Sequence, residues 1–399
     1  MEPSPPSQQE ILGRVEKLQE RIQERNLDAA FILQNADLFY FTGTVQDGLL
    51  AVPATGEPRF FVRRSVERAR ATSVLPGIVP YRSFSDLPDL FKKEGLGTPQ
   101  RIGLEMDVLP VLFLHRLERA FPGAWFSDLS LAVRQIRMQK SAYEVEQMRR
   151  AADLAERMVQ AVPRLARVGM SEMELEGAVY AVARAAGHHG PIRRRTFKQE
   201  GFVGMLLSGE RALVPSFLDA PTPGSGPGPA IGYGAGFRKL TRGDILLVDM
   251  VGHWNGYLAD QTRTLCLEEI DADLAETYNV AVEILVECSH ALRPGIAAGE
   301  IYAIGERIAI RHGLREGYMN YGSAQVAYIG HGVGIEIDEM PFLLRGDTTP
   351  LAVGMTLAVE PKLAIPGRGV VGVEDTFLVT GAGGERITYS DRTLKLVKG

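Results

Sequence analysis

The chain has 399 residues, 45% hydrophobic and 23% charged, which exceeds what one hydrophobic core keeps absorbing and points to a soluble protein of two domains. A formal charge of −5 supplies no broad basic field for nucleic acid or an anionic membrane, although Arg193, Arg194 and Arg195 make a small local cluster. Two cysteines, Cys266 and Cys288, cannot build a disulfide framework and suit a reducing compartment as structural or free thiols.

In chain order, residues 1–10 (MEPSPPSQQE) read as a flexible arm without the basic start and apolar stretch of a secretion signal. No later run reaches the roughly 18 apolar residues of a membrane helix, so the expected setting is the cytoplasm, with neither membrane nor nucleic acid as a partner. Ile11, Val15, Leu18 and Ile22 fall on one helical stripe, AAFIL follows as a strand, and LFYFTG, GLLAVPA and PRFFV alternate with turn residues in strand fashion. Helical stretches return near 64–73 and 108–120, which closes a small α/β domain over 11–135. A second domain, 136–399, opens with the capping boxes Ser141/Glu144 and Ser171/Glu174, each starting a long helix, with Gly187 and Gly313 as helix stops. Residues 219–236, dense in glycine and proline, read as an irregular loop bordering the active site, and strand-like runs follow at 244–251, 256–267, 326–338, 354–365 and 370–380.

Acids interrupt those strands. Asp249 lies in ILLVDMV, Asp260 in GYLADQTRTLCL, Glu360 in MTLAVEP and Glu374 in VVGVEDTFLV. A single unpaired buried carboxylate costs several kcal/mol, and a cluster of them is driven toward protonation unless a cation neutralises it. Two divalent ions match the charge of the four acids and leave room for a hydroxide, and oxygen donors mixed with the His331 imidazole suit Mn, Co, Fe or Zn. In GHGVGIEIDEMP, Gly332 and Gly334 permit close backbone approach beside His331. His115, His290 and His312 fall in helical patterns as surface or packing residues, and His188 and His189 are expected in a solvated loop.

These segments resemble the pita-bread metallopeptidase family of methionine aminopeptidase, aminopeptidase P, prolidase and creatinase. VDMVGHWNGYLADQTRT is similar to its D-x-G-x-x-x-x-G-Y-x-x-D-x-T-R-T element, GHGVGIEI to G-H-G-[IV]-G, GMTLAVEP to G-M-x-x-x-x-E-P, and VEDTFLVT to its E-D-T-x-L-V-T ending. NADLFYFTG and IRMQKSAYEVEQMRRAADLA extend the likeness across nearly the whole chain, toward the aminopeptidase P and prolidase branch. The resemblance implies an α/β (α+β) fold with a creatinase-like amino-terminal domain and a pita-bread catalytic domain. It also implies two divalent ions, Mn or Co first and Zn or Fe next, held by Asp249, Asp260, His331, Glu360 and Glu374, with Thr262 and Arg263 supporting them. The implied reaction is hydrolysis of an amide bond at an N-terminal residue of a peptide by a metal-bridging hydroxide, with Glu360 taking the proton, in a homodimer.

Three positions depart from the family pattern. A histidine seven residues beyond the G-H-G histidine is Asp338, a second is Ser216, and an arginine two residues before the last ligand glutamate is Gly372. Ser216 and Asp338 are candidate substrate-facing residues, Asp338 also a candidate base. Losing two imidazoles and a guanidinium removes donors suited to a peptide carbonyl and a terminal carboxylate. An extra acid at Asp338 is expected to repel free Xaa-Pro dipeptides unless an arginine of the 193–195 cluster folds inward. The alternative activities are a metal-dependent lyase or hydrolase acting on a small molecule, and an inactive binding relative.

Overall fold

The computed structural model describes residues 3–197 and 203–398. Two compact units divide it, one of Met1–Arg137 with Arg195–Lys198 and one of Met138–Arg194 with Gln199–Gly399. Among the described residues no helix is long and apolar enough to cross a membrane.

The first unit carries a six-stranded mixed sheet of β1 (Ala29–Ile32), β2 (Gly48–Pro53), β3 (Arg59–Val62), β4 (Ile78–Pro80), β5 (Arg101–Leu104) and β6 (Trp125–Asp128), in the order β4-β3-β2-β1-β5-β6. The helix Gln8–Glu24 begins within the expected arm, capped by Ser7, and buries the Ile11, Val15, Leu18 and Ile22 stripe. The stretch LFYFTG, expected as a strand, instead lies in and just after the helix Asn35–Thr42. The Gln34 side chain accepts from Ala36 N and Asp37 N, and Gly43 ends it in the left-handed region at φ 77°. Ala36, Leu38, Tyr40 and Phe41 are buried on every side of this helix, which erases the one-sided period by which a helix is recognised.

The second unit holds the long hairpin of β8 (Ile245–Trp254) and β9 (Tyr257–Leu267), with β7 (Gly204–Ser208) on one edge and β17 (Lys395–Val397) on the other. A second sheet contains β10 (Tyr328–Gly332), β11 (Glu339–Leu344), β12 (Thr356–Val359), β15 (Asp375–Thr380) and β16 (Gly383–Arg386), and β13 (Lys362–Ile365) pairs with β14 (Gly369–Gly372). The helices Ala142–Leu165 and Glu172–Ala185 start at the capping boxes of Ser141 and Ser171. The even-numbered face of β8, with Leu246, Val248 and Met250, packs in one core with Ala155, Met158 and Val159 of the first of these helices. At Gly252 the approach is so close that a Cβ would lie 1.9 Å from the carbonyl oxygen of Ala151.

Of three expected strands one stops short and two break in two, each beside a charged side chain. The 326–338 run stops at Gly332, where Ile335 N and Glu336 N turn inward to donate to the buried Glu339 carboxylate, and Lys140 Nζ holds its other oxygen at 2.8 Å. A Cβ on Gly334 would meet that carboxylate at 2.7 Å, and one on Gly332 would meet Met340 O at 2.4 Å, so both glycines are required by close approach. The 354–365 and 370–380 runs bend at Glu360–Pro361 and Val373–Glu374, where one hairpin passes from the larger sheet into the two-stranded one. Residues 219–236 form an irregular loop, with an isolated bridge between Gly228 and Ile231.

Candidate active site

Strand pleating gathers the site. In the β8/β9 ladder Asp249 faces Thr262 and Val251 faces Asp260, and alternation puts all four on the side of the sheet opposite the helix. Threonine hydroxyls then join β9 to the β14–β15 segment, to which it forms no ladder. Thr376 Oγ1 both accepts from Asp260 N at 3.0 Å and donates to Asp260 O at 2.9 Å. Thr264 Oγ1 makes the same double contact with Gly372, and Glu374 N donates to Thr262 O. The alternation of threonines in the D-Q-T-R-T segment thus fixes Glu374 against Asp260.

Asp249, Asp260, His331, Glu360 and Glu374 are all buried and converge as two triads. Donor atoms of Asp260, His331 and Glu374 lie within 4.8 Å of one another, and so do those of Asp249, Glu360 and Glu374, so that Glu374 belongs to both. His331 Nδ1 lies 3.0 Å from Gly332 O, the geometry of a donor, which turns Nε2 toward Glu360 Oε1 at 3.8 Å. Thr262 Oγ1 donates to Glu374 Oε2 at 2.6 Å, while Arg263 Nη1 donates to the main-chain oxygens of Thr262 and Glu374.

The charges are unevenly met. Burial, followed by the charge of Asp249, drives the Asp260 carboxyl well above its ordinary range, and burial followed by Asp260 does the same to Glu374. Asp260 Oδ1 and Glu374 Oε1 are buried without a hydrogen-bond partner. Such orphaned oxygens are what a bound cation satisfies, so this part of the site fits a divalent ion. Burial opposes the His331 imidazolium, but Asp338, Glu360 and Asp260 outweigh it and raise its pKa.

One residue of the site escaped the sequence reading. Lys362, 1% exposed, places Nζ 2.7 Å from Glu360 Oε2, 2.9 Å from Asp249 Oδ2 and 3.9 Å from Glu374 Oε2. Its signal was a lysine directly after Glu-Pro at the start of an otherwise apolar strand, opposite a glycine. The register pairs Lys362 with Gly372, and a Cβ on Gly372 would meet Lys362 Cγ at 2.8 Å.

The substituted positions are placed differently from one another. Asp338 stands at the edge of the site, its Oδ1 4.0 Å from His331 Nδ1, and Arg194 Nη1 binds its Oδ2 at 2.7 Å. The acid is therefore charge-balanced, which removes the premise on which repulsion of dipeptides was expected. Of the other arginines of the cluster, Arg193 accepts from Ile337 N at its main-chain oxygen, and Arg195 pairs with Asp37 and Asp107. Ser216 spends its hydroxyl on a local turn, accepting from Leu218 N at 3.0 Å. His188, expected in a solvated loop, is buried, with Nε2 at 2.9 Å from Val251 O and Nδ1 accepting from Gly190 N. The 219–236 loop meets the strand of His331 at its base, where Tyr328 donates to Asp219 O.

Comparison with known proteins agrees with this arrangement. Residues 146–381 match the profile of metallopeptidase family M24, more than half of the chain, and residues 14–139 match the creatinase/prolidase N-terminal domain. The chain belongs to metallopeptidase family M24. Among curated relatives, the Xaa-Pro dipeptidase of Pyrococcus furiosus is 26% identical over 96% of this chain and 99% of its own length. Among solved structures, the prolidase of Pyrococcus horikoshii OT3 superposes with a TM-score of 0.80 at 25% identity, covering 96% of this chain and 99% of that one. The Xaa-Pro dipeptidase of Bacillus anthracis does so with a TM-score of 0.82 at 25% identity, over 97% and 99%. The α/β architecture and the metallopeptidase-like hydrolase class of this M24 chain follow from these matches together with the fold.

Proposed function

We propose that this M24 chain is a divalent-metal-dependent hydrolase that cleaves the amide bond between an N-terminal residue and proline. The observation that carries the reading is the convergence of Asp249, Asp260, His331, Glu360 and Glu374 as two triads sharing one glutamate, with two buried oxygens lacking partners. Asp260, His331 and Glu374 would hold one ion and Asp249, Glu360 and Glu374 offer a second position; the oxygen and imidazole donors suit Mn or Co, and also Zn or Fe. When bound, such an ion supplies Lewis acidity, which lowers the pKa of a water and polarises an amide carbonyl.

The chain's own residues supply the rest. Glu360, with Oε2 held by Lys362 and Oε1 turned toward His331, is the carboxylate placed to take a proton from the attacking water and return it to the leaving amine. Thr262 and Arg263 position Glu374 through its side chain and main chain. The Asp338–Arg194 pair at the rim offers a guanidinium beside the acid, so a substrate carboxylate meets a balanced pair. The local turn made by the Ser216 hydroxyl favours a loop-shaping role over direct contact with substrate. A cytoplasmic homodimer is the proposed working form, checked by light scattering at micromolar concentration.

The test is a panel of free Xaa-Pro dipeptide, longer Xaa-Pro peptide and proline-free controls, assayed with metal-stripped protein reloaded with Mn or Co. Metal-dependent cleavage of the Xaa-Pro bond is expected, with kcat lowered at least about 100-fold in Glu360→Gln. Tight metal binding without cleavage of any proline peptide would overturn the substrate assignment in favour of small-molecule chemistry.

A further inference from the structure

The acid cluster already contains one cation. The Lys362 ammonium lies within 4.0 Å of every member of the Asp249–Glu360–Glu374 triad, at 2.9, 2.7 and 3.9 Å. The two oxygens left without partners, Asp260 Oδ1 and Oε1 of the shared Glu374, both lie on residues of the Asp260–His331–Glu374 triad. We propose that Lys362 is a built-in cation at the Asp249–Glu360 position, so that the resting protein takes a single divalent ion, at Asp260, His331 and Glu374, and admits a second only in competition with the ammonium. This rests on reading the cluster as a metal centre and sets how that centre is filled.

Charge and space support it together. Four carboxylates facing one divalent ion and one ammonium keep a single negative charge, whereas two divalent ions beside the ammonium leave a net positive charge until a hydroxide joins them. The N–H groups of Lys362 also point at Asp249 Oδ2 and Glu360 Oε2, two of the oxygens that a second ion would draw on. Nor has the lysine an easy way out. Its side chain is 1% exposed, and its stem fills the space over Gly372 that a larger residue would need. The arginine expected at that position from the family resemblance and the lysine on the facing strand exclude each other sterically, so the site has exchanged a cation two residues from Glu374 for one inside the triad.

The experiment titrates Mn2+ into metal-stripped full-length protein by calorimetry, with elemental analysis and low-temperature electron paramagnetic resonance of the loaded samples. Wild type is expected to bind one Mn2+ per chain with an isolated-ion spectrum, and Lys362→Met to bind two with the spectrum of a spin-coupled pair. Two ions of comparable affinity in wild type overturn the proposal, as does a single ion in both proteins. Absence of binding in both proteins sinks the metal-centre reading itself, which is a different failure. Should Lys362→Met not fold, a second pair decides: Asp249→Asn is expected to change the affinity of the one ion less than about tenfold, and Asp260→Asn to weaken it more than about 100-fold. The reverse order overturns the assignment.

Discussion

Glu374 and Asp375 are neighbours in sequence, both almost wholly buried, and they live in opposite electrostatic surroundings. Asp375 faces a surplus of cations: Arg263 Nη2 at 2.7 Å, Arg392 Nη2 at 2.6 Å and Arg386 Nη2 at 3.1 Å, with Thr388 Oγ1 also donating. Glu374 faces three other acids and shares one ammonium with two of them. Two consecutive residues where β15 begins thus sit one in a surplus of positive charge and the other in a deficit. A buried deficit is costly for folding, so its location beside a fully compensated acid separates a working site from a structural one.

The largest effect should come from the compensated side. Asp375→Ala leaves three guanidiniums partly or fully buried around a missing carboxylate and is expected to cost about 3–5 kcal/mol in urea unfolding. Glu374→Gln in metal-free protein keeps an acceptor for Thr262 and relieves like-charge repulsion, so its stability should change by less than about 1 kcal/mol while metal binding is lost. Equal losses in the two variants would break the comparison.

A third kind of buried group avoids charge altogether. Burial, followed by the charge of Arg193, pushes the His253 imidazole down to about 3. Because the folded value lies below the ordinary 6.5, the stability contributed by neutral His253 is present above pH 6.5 and drains away as the pH falls toward 3. On the order of 3 kcal/mol should be lost between pH 6.5 and 4 from this residue. The measurement is the unfolding free energy of wild type against His253→Asn across that range. A difference that does not change with pH would show that His253 titrates normally.

The smallest effect belongs to the rim. The Asp338–Arg194 pair is 37% and 22% exposed, so Arg194→Ala should shift stability by less than about 1 kcal/mol. It bares an acid beside His331, and KM for a free Xaa-Pro dipeptide should rise several-fold more than KM for a longer peptide, with kcat little altered. An equal change for both substrates would dissociate Asp338 from recognition of the substrate carboxylate.

How far the site could be read in advance followed from what one-dimensional pattern carries. Asp249 and Asp260 stood out because each interrupts an apolar strand, but that they share a face follows from the register of the hairpin, which alternation within either strand does not reveal. The ligand role of the five residues remains the proposal that metal titration tests. Lys362 carried only the signal of a lysine after Glu-Pro, because past the bend at Glu360–Pro361 alternation no longer says which way a side chain points. The Arg194–Asp338 pair joins residues 144 positions apart, so the sequence could name the 193–195 cluster as a source of charge for Asp338 but not which arginine turns inward. The Asn35–Thr42 helix was hidden by its own burial, and His188 by a glycine-flanked loop that in fact tucks its ring beneath Val251 O.

The closeness of Gly252 to Ala151 has a consequence for the opposite face of the sheet. A hairpin ladder can slide by two residues and still present its apolar side inward, so hydrophobic pattern alone does not prevent Asp249 from shifting out of step with Asp260. Such a slide would bring Met250 or Trp254 to the spot where even a Cβ comes within 1.9 Å of a helix carbonyl. Gly252 therefore acts as an index mark: it admits one alignment of strand against helix and rejects the next. The spacing of two acids is set, in this protein, by a residue with no side chain on the face where no chemistry occurs.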